Sequence, residues 1–281
     1  WAFLAPGAIM FLLYVLIPIV QSVWISFHDW DGLGDKVWIG LGNYVELLDD
    51  DTFYVALKNN LIWLALYLLA IPMGLATALF LNQTVWGIRL YKSLFFFPFV
   101  ISQVVVGLMF TWFYAPDFGL FSQLIKWLTG TEIAVLADER FVTLGIIVAG
   151  LWPQTAYCMI LYLTGLNNLN PEQIEAARMD NARGWRLLWH VILPQLAPAT
   201  FIAMVVTVIG ALRSFDLVSI MTAGGPYGSS QVLSYFMYEQ ALSEYGYRMG
   251  YGAAIAVVLF LIMMVFITLF IVRMIAQERN R

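Results

Sequence analysis

The chain has 281 residues, of which 62% are hydrophobic and 11% are charged, and its formal net charge is −4. Soluble globular domains carry about 25% charged residues, so this composition excludes a soluble domain and indicates a polytopic membrane protein. No basic tract is present, which argues against nucleic-acid binding. Cys158 is the only cysteine, so no disulfide forms within the chain.

Six stretches are long and apolar enough to cross a bilayer, which takes about 20 mainly apolar residues. Prolines inside them are compatible with membrane helices where neighbouring groups satisfy the freed carbonyls. The first stretch lacks a small-residue cleavage site, so we expect a retained helix and not a signal peptide. We predict an all-α fold in a single transmembrane domain, 1–281, with short interfacial helices outside the membrane. The six predicted spans are residues 2–27, 61–81, 94–114, 141–163, 199–221 and 252–272.

Two segments outside these spans have an interfacial character. Residues 28–60 carry Trp30, Trp38 and Tyr44 ahead of an acidic run, and residues 118–128 are amphipathic. Aromatic and amphipathic segments of this kind favour the surface of a bilayer. Residues 223–226 (Ala-Gly-Gly-Pro) predict a sharp turn after the fifth span.

Residues 167–198 form a polar segment between the fourth and fifth spans. Asn170 followed by Pro171 is typical of an N-cap and a first helical position. Gln173 completes a capping-box pattern. These signals predict a helix from Pro171 to about Asp180.

A break should follow at residues 180–181, because asparagine adopts left-handed geometry at low cost. A second, amphipathic helix is predicted from Gly184 to Leu193, and it should end ahead of Pro194 and Pro198. The polar segment is therefore expected to hold two short helices outside the membrane.

Lysine and arginine counts predict the orientation of the spans. Six spans place both termini on one side, together with residues 82–93 and 167–198. That side holds eight basic residues and the other side holds five, with Arg213 inside a span. The count predicts that both termini and the polar segment are cytoplasmic.

The polar segment resembles the "EAA" coupling loop of permease subunits in bacterial ATP-binding-cassette importers. The resemblance rests on Glu175-Ala176-Ala177, on Asp180 and Ala182, on Leu193-Pro194 and Pro198, and on the position ahead of the penultimate span. Asn181 stands where the family usually has glycine, and Val191 where it usually has isoleucine. Phe215-Asp216 and residues 222–226 resemble the first of the two permease partners in the carbohydrate-type subfamily, and residues 40–44 match it more weakly. We call residues 167–198 the coupling loop.

The resemblance implies that the two short helices fit a cleft of a cytoplasmic ATPase and transmit its closure to the spans. Glu175 would meet a basic group there, and the adjacent alanines would allow close approach. It also implies a second permease subunit, two ATPase subunits and a periplasmic or lipid-anchored solute-binding protein in the bacterial inner membrane. This chain would catalyse nothing and bind no cofactor or metal, since ATP and magnesium would lie on the ATPase. The implied coupling residues are Glu175, Ala176, Ala177, Asp180, Asn181, Ala182, Gly184, Leu193 and Pro194.

Charged and polar residues inside the spans are the candidates for the substrate path. Arg213 and Asp216 are three residues apart, which places them on one helical face in the outer half of the fifth span. Charged groups at such depth usually face a cavity or a partner; a structural ion pair or snorkelling is the alternative. Trp152, Gln154 and Tyr157 could line a cavity in the fourth span, or pack within the bundle.

Other functions find less support. The sequence has no Gly-Lys-Ser/Thr phosphate loop, no Gly-x-Ser-x-Gly elbow and only two histidines, His28 and His190, on opposite sides. An importer for an amino acid or anion stays open, as does, with less support, a free-standing channel or an intramembrane enzyme. The sequence does not identify the solute beyond a sugar-like class.

Overall fold

The protein is a helical bundle in the computed structural model, which describes residues 3–83, 85–243 and 247–279. Within these residues, five helices are long and apolar enough to cross a membrane, and a bent helix pair supplies a sixth span. The predicted all-α, polytopic membrane fold is confirmed. We number the spans one to six in chain order: Ala5–Ile25, Asp51–Leu81, Ile88–Val100 with Gln103–Phe113, Val142–Asn167, Ala197–Met221 and Met249–Arg273.

Short elements connect the spans and interrupt some of them. The second span consists of Asp51–Tyr67 and Ala70–Leu81, the fifth consists of Ala197–Leu212 and Asp216–Met221, and the last helix extends to Arg279. The first span consists of Ala5–Phe11, a π-helical turn at Leu12–Leu16, and Ile17–Ile25. Outside the spans lie the antiparallel strands His28–Asp29 and Val37–Trp38, and the helices Gly42–Asp49, Leu120–Thr129, Pro171–Met179, Gly184–Leu187, Leu193–Gln195 and Leu233–Leu242, with a π-helical turn at Leu188–Ile192.

The third predicted span, 94–114, is not one straight helix. It lies across two helices that meet at an angle of 98°. Ile101 is extended, and Ser102 caps the second helix by accepting a hydrogen bond from the amide of Val105 at 3.4 Å. An extended residue followed by an N-cap ends one helix and starts another, which the continuous apolar run concealed.

The second span starts at Asp51, ten residues before its predicted start at residue 61. Asp50 caps it, because its Oδ1 accepts a hydrogen bond from the amide of Thr52 at 2.8 Å. The helix therefore includes Asn59 and Asn60, which are both buried. The predicted span 2–27 begins at Ala2, which lies outside the described residues.

Two prolines follow π-helical turns, whereas Pro98 and Pro153 lie inside α-helices. The π-helical turn Leu12–Leu16 precedes Pro18, and the turn Leu188–Ile192 precedes Pro194. A proline cannot donate a hydrogen bond to the carbonyl four residues earlier and clashes with it. A wider turn at that place lets the helix continue past the proline.

Spans two, four, five and six enclose most of the buried apolar side chains, among them Trp63, Ile146, Leu212 and Ile255. Span one differs from them. None of its residues in the most apolar window is buried within this chain. The N-terminal part of the first span thus leaves its apolar side chains exposed, whereas Ile17–Ile25 contacts the last helix of this chain.

The backbones of spans two and four approach each other closely at Gly74. A Cβ atom on Gly74 would overlap the Cβ of Cys158 and would lie 2.8 Å from the backbone nitrogen of Met159. Only a glycine permits this backbone separation, so small-residue packing holds these two spans together.

We expect Gly74→Ala to destabilise the protein, because the added methyl group meets backbone atoms that cannot move aside. Overpacking of this kind costs about 1–3 kcal/mol. The measurement is the thermal unfolding temperature of the purified protein in detergent. Gly7→Ala is the matched control, since a Cβ there has no neighbouring atom within 4 Å; an equal fall in both variants would contradict the packing argument.

Candidate functional site

The first arm of the coupling loop is a well-capped helix, Pro171–Met179. The side chain of Asn170 accepts a hydrogen bond from the amide of Glu172 at 2.9 Å, as expected for the N-cap. At the other end, Asn181 is left-handed with φ of 59°. The amides of Asn181 and Ala182 donate to the carbonyls of Arg178 and Ala177, which is the Schellman arrangement. The break predicted at residues 180–181 therefore has its expected cause.

The capping box, in contrast, is completed by a different residue. The backbone amide of Asn170 donates to Oε1 of Gln195 at 2.9 Å, and no described hydrogen bond joins it to Gln173. Gln195 lies at the far end of the loop, beside the start of the fifth span. We call this hydrogen bond the clasp, because it joins the two ends of the loop. Sequence patterns could not reveal it, since the partners are 25 positions apart.

The second arm was predicted to end ahead of Pro194, and this prediction was wrong. It runs from Gly184 through the π-helical turn to Gln195. Gly184 itself is left-handed with φ of 54°, so it redirects the chain after Ala182. The π-helical turn lets the helix continue through Pro194. The second arm therefore reaches Leu196, one residue before the fifth span.

The first arm presents its acidic face to solvent. Glu175, Ala176 and Arg178 are exposed, and Ala177 is half-buried. Among the described residues, Glu175 has no ion-pair partner. A helix with an unpaired carboxylate beside two small residues can lie close to another protein and offer it one negative charge.

Three contacts join the fourth and fifth spans above the loop. Nε2 of Gln154 donates to Oγ1 of Thr207 at 2.8 Å, and the hydroxyl of Tyr162 donates to Thr200 at 3.1 Å. A Cβ on Gly165 would lie 2.8 Å from Cδ2 of Leu196. Interhelical hydrogen bonds and close backbone approach hold membrane helices together. The two spans that carry the coupling loop are thus held together in the halves nearest the loop.

Arg213 and Asp216 do not share a helical face. The helix Ala197–Leu212 ends at Arg213, and the next helix begins at Asp216. The cation lies at a helix C-terminus and the anion at a helix N-terminus, which is the favourable arrangement at both ends. Both side chains are exposed, and no ion pair joins them within the described chain. The structural ion pair considered as the alternative is therefore not formed.

Neighbouring side chains support this break in the fifth span. Nδ2 of Asn60 donates to the carbonyl of Leu212 at 3.4 Å, while its Oδ1 accepts from the amide of Leu233 at 2.8 Å. Phe215 stacks on Tyr235 with 6.0 Å between ring centroids. Asn60 thus links the break to the helix Leu233–Leu242.

Asn59 binds backbone carbonyls of the loop that follows the fifth span. Its Nδ2 donates to the carbonyls of Ser229 and Gln231 at 2.7 and 2.8 Å. Gln231 in turn donates to Glu239 at 2.6 Å, and burial raises the pKa of the Glu239 carboxyl. Sequence reasoning missed Asn59 and Asn60 because it placed them before the span; two adjacent asparagines within a membrane helix are the signal that could have found them.

Trp152, Gln154 and Tyr157 face three different neighbours. Trp152 lies against Phe110 in an apolar groove of about 920 Å³ between the bent pair and the fourth span. Gln154 binds Thr207, and Tyr157 stacks on Phe99 with 5.1 Å between centroids. The structure does not bring these three residues together. Of the five candidate residues, Trp152 alone lines this groove.

Comparisons with known proteins agree with these features. The family model described as binding-protein-dependent transport system inner membrane component matches residues 70–281. The Probable ABC transporter permease protein YurN of Bacillus subtilis (strain 168) is 36% identical over 93% of this chain and 91% of its own. The multiple sugar-binding transport system permease protein MsmF of Streptococcus mutans is 32% identical over 93% and 90%.

Solved structures share the fold. A bacterial alginate ABC transporter, solved in complex with an alginate pentasaccharide-bound periplasmic protein, contains a chain with a TM-score of 0.82, at 22% identity and with 96% of this chain and 91% of that chain covered. With three quarters of the sequence matched by the family model, this chain belongs to the binding-protein-dependent transport system inner membrane components and is a permease of the ABC transporter type.

Proposed function

We propose that this chain forms half of the translocation pathway of an ATP-driven importer for a sugar or sugar-like solute. A binding protein would deliver the solute, and alternating access would carry it across the bacterial inner membrane. The observation that carries the proposal is the coupling loop. It exposes an acidic helix and connects two spans that contact each other. The sugar class is supported by the name of the relative MsmF and by the resemblance of residues 215–216 and 222–226.

The loop and its two spans suit the transmission of a rigid-body movement. The clasp closes the base of the loop, and the contacts of Gln154 and Tyr162 hold spans four and five together. A displacement of the first arm would move both spans as one unit. The non-helical residues 213–215 of the fifth span lie at the other end of this unit, where a hinge can absorb the change in backbone angles.

A second permease subunit would account for the exposure of the first span. That helix buries none of its most apolar window within this chain, although Ile17–Ile25 contacts the last helix. Its exposed apolar side is available to pack on a neighbouring subunit. We assign that place to the partner permease, with which this chain would form a heterodimer.

The remaining partners follow the same scheme. Two ATPase subunits would bind ATP and magnesium, and this chain would hold neither. Closure of the ATPase pair on ATP would favour one of two orientations of the permease pair. The loop would face the cytoplasm, with both termini on the same side, as the eight-to-five distribution of basic residues favours; Arg281, one of the eight, lies outside the described residues.

Arg213 and Asp216 are the residues that we assign to the substrate path. They flank a break in a spanning helix, and broken helices in transporters place their charged ends at solute sites. Planar guanidinium and carboxylate groups suit the hydroxyls of a sugar. Trp152 offers an aromatic face in the groove between the bent pair and the fourth span. Gln154 and Tyr157 are assigned to this path only by their position in the fourth span.

Glu175→Lys should uncouple ATP hydrolysis from uptake. Removal of one partner from a hydrogen-bonded ion pair across an interface costs about 2–5 kcal/mol, which corresponds to roughly 30-fold or more in ATPase affinity. The measurement is ATPase binding and binding-protein-stimulated hydrolysis in the purified complex. Glu172→Lys, one turn away with the same change of charge, is the control; wild-type coupling in Glu175→Lys would exclude this role.

The clasp should contribute to coupling through a single hydrogen bond, worth about 1 kcal/mol. Gln195→Met removes the acceptor, and Asn170→Pro removes the donor together with the cap. Asn170→Ala removes the cap alone. We expect Asn170→Pro to lower uptake per ATP hydrolysed by about fivefold relative to Asn170→Ala.

That difference should vanish in the Gln195→Met background, because the bond is already absent there. A difference of equal size in both backgrounds would show that the amide of Asn170 acts without Gln195. Uptake and hydrolysis are measured together in proteoliposomes.

Arg213→Ala should impair uptake while the ATPase still assembles. A hydrogen bond to a charged group is worth about 1.5–3 kcal/mol, so uptake at subsaturating solute should fall about tenfold or more. Arg140→Ala, at an exposed arginine between spans three and four, is the control. Unchanged uptake in Arg213→Ala would remove this residue from the substrate path.

A further inference from the structure

The second arm of the coupling loop carries an aromatic and basic surface. Trp185 and Trp189 are 71% and 52% exposed, and their rings meet edge to face at 5.7 Å. Together with Arg186 and His190 they line a shallow pocket of about 480 Å³. On the other side of this arm Leu187 is buried. We call Trp185, Arg186, Trp189 and His190 the tryptophan–arginine face.

Charge is divided unequally between the two arms. The first arm and its cap, residues 171–180, hold three carboxylates against one arginine. The second arm, residues 182–195, holds two arginines and a histidine and has no carboxylate. The arms therefore suit surfaces of opposite sign. An acidic arm fits a basic cleft, and a basic arm fits an anionic surface.

The position of the second arm selects that surface. It ends at Gln195, and the fifth span begins at Ala197. Trp189 is eight residues before Ala197, which is at most about 12 Å along a helix. The spans on either side of the loop have 26 and 25 residues, roughly 39 and 37 Å, and so extend beyond the hydrocarbon core of about 30 Å into the headgroup layer. The second arm thus emerges within or next to that layer.

We propose that the tryptophan–arginine face binds the headgroups of anionic phospholipids in the leaflet from which the coupling loop emerges. Tryptophan concentrates at membrane interfaces because its ring is apolar and its N–H is polar. The guanidinium of Arg186 matches a phosphate through two parallel hydrogen bonds. The pocket lined by the two indoles and His190 has room for a phosphate group next to that guanidinium. The resemblance implied that both helices fit the ATPase cleft; this assignment leaves only the first arm for the ATPase, so the loop lies between membrane and partner.

Depth measurement tests the contact in the assembled transporter. Cys158 is replaced by Ser, and a nitroxide is attached through Trp189→Cys or, as the matched control on the first arm, Met179→Cys (Met179 is 88% exposed). The complex is placed in nanodiscs of phosphatidylcholine and phosphatidylglycerol. A lipid-facing label collides readily with oxygen and poorly with a water-soluble nickel chelate. We expect this result at position 189 and not at position 179.

Two results would overturn the proposal. A label at 189 that is accessible to the nickel chelate lies in water, and one that is shielded from both reagents is covered by protein, the ATPase included.

The inference rests on the proposed function only for the role of the first arm. A label at 179 that is accessible to the chelate in the complex would contradict ATPase docking there, while the result at 189 would still decide the lipid contact.

A functional measurement separates the headgroup charge from general burial. Phosphatidylglycerol should stimulate wild-type ATP hydrolysis relative to phosphatidylcholine alone, and Arg186→Gln should reduce its effect about fivefold, the factor equivalent to about 1 kcal/mol for one arginine at an anionic surface. Arg178→Gln, on the first arm, should leave the lipid dependence unchanged. Equal losses in both variants, or no dependence on phosphatidylglycerol, would refute the headgroup site.

Discussion

Every backbone amide and carbonyl inside a bilayer needs a partner from the protein, because lipid offers none. Several spans of this chain are interrupted, and side chains bind freed backbone groups at two of the interruptions. Ser102 caps the helix after the bend in the third span, and Asn60 binds the carbonyl of Leu212 at the break in the fifth. π-Helical turns carry the chain past Pro18 and Pro194. These polar contacts determine where the helices can be irregular.

The same contacts divide the bundle into parts with different tasks. Gln154, Tyr162 and Gly165 hold spans four and five together near the coupling loop, whereas residues 213–215 interrupt the fifth span near its other end. In the proposed mechanism, a displacement of the loop would therefore reach a defined place in the membrane. Interfaces that are packed in this way move as bodies and not as continuously bending rods. Arg213 and Asp216 lie where the part that is proposed to move ends.

Hydropathy and local capping signals were sufficient to predict the class of fold and the first arm of the loop. Asn170, Pro171 and Asn181 affect only residues a few positions away, so their roles can be predicted from the local sequence. The bend at Ile101 could not be predicted, because apolar composition does not distinguish an extended residue from a helical one. The partners of Asn60 and Gln195 are 25 or more positions away in sequence. Tertiary contacts of that kind leave no periodic signal.

The prediction that Arg213 and Asp216 share a helical face was wrong, because the helix is interrupted between them. Spacing of three residues places two side chains on one face only if the helix between them is intact, and charged residues are themselves favoured at helix ends. A cation followed three residues later by an anion inside an apolar run is thus equally compatible with the end of one helix and the start of the next. In a membrane protein, where each charge is costly, the broken helix makes better use of both charges, since each is stabilised by a helix dipole. Charge order along a span is therefore a better indicator of a break than charge spacing is of a shared face.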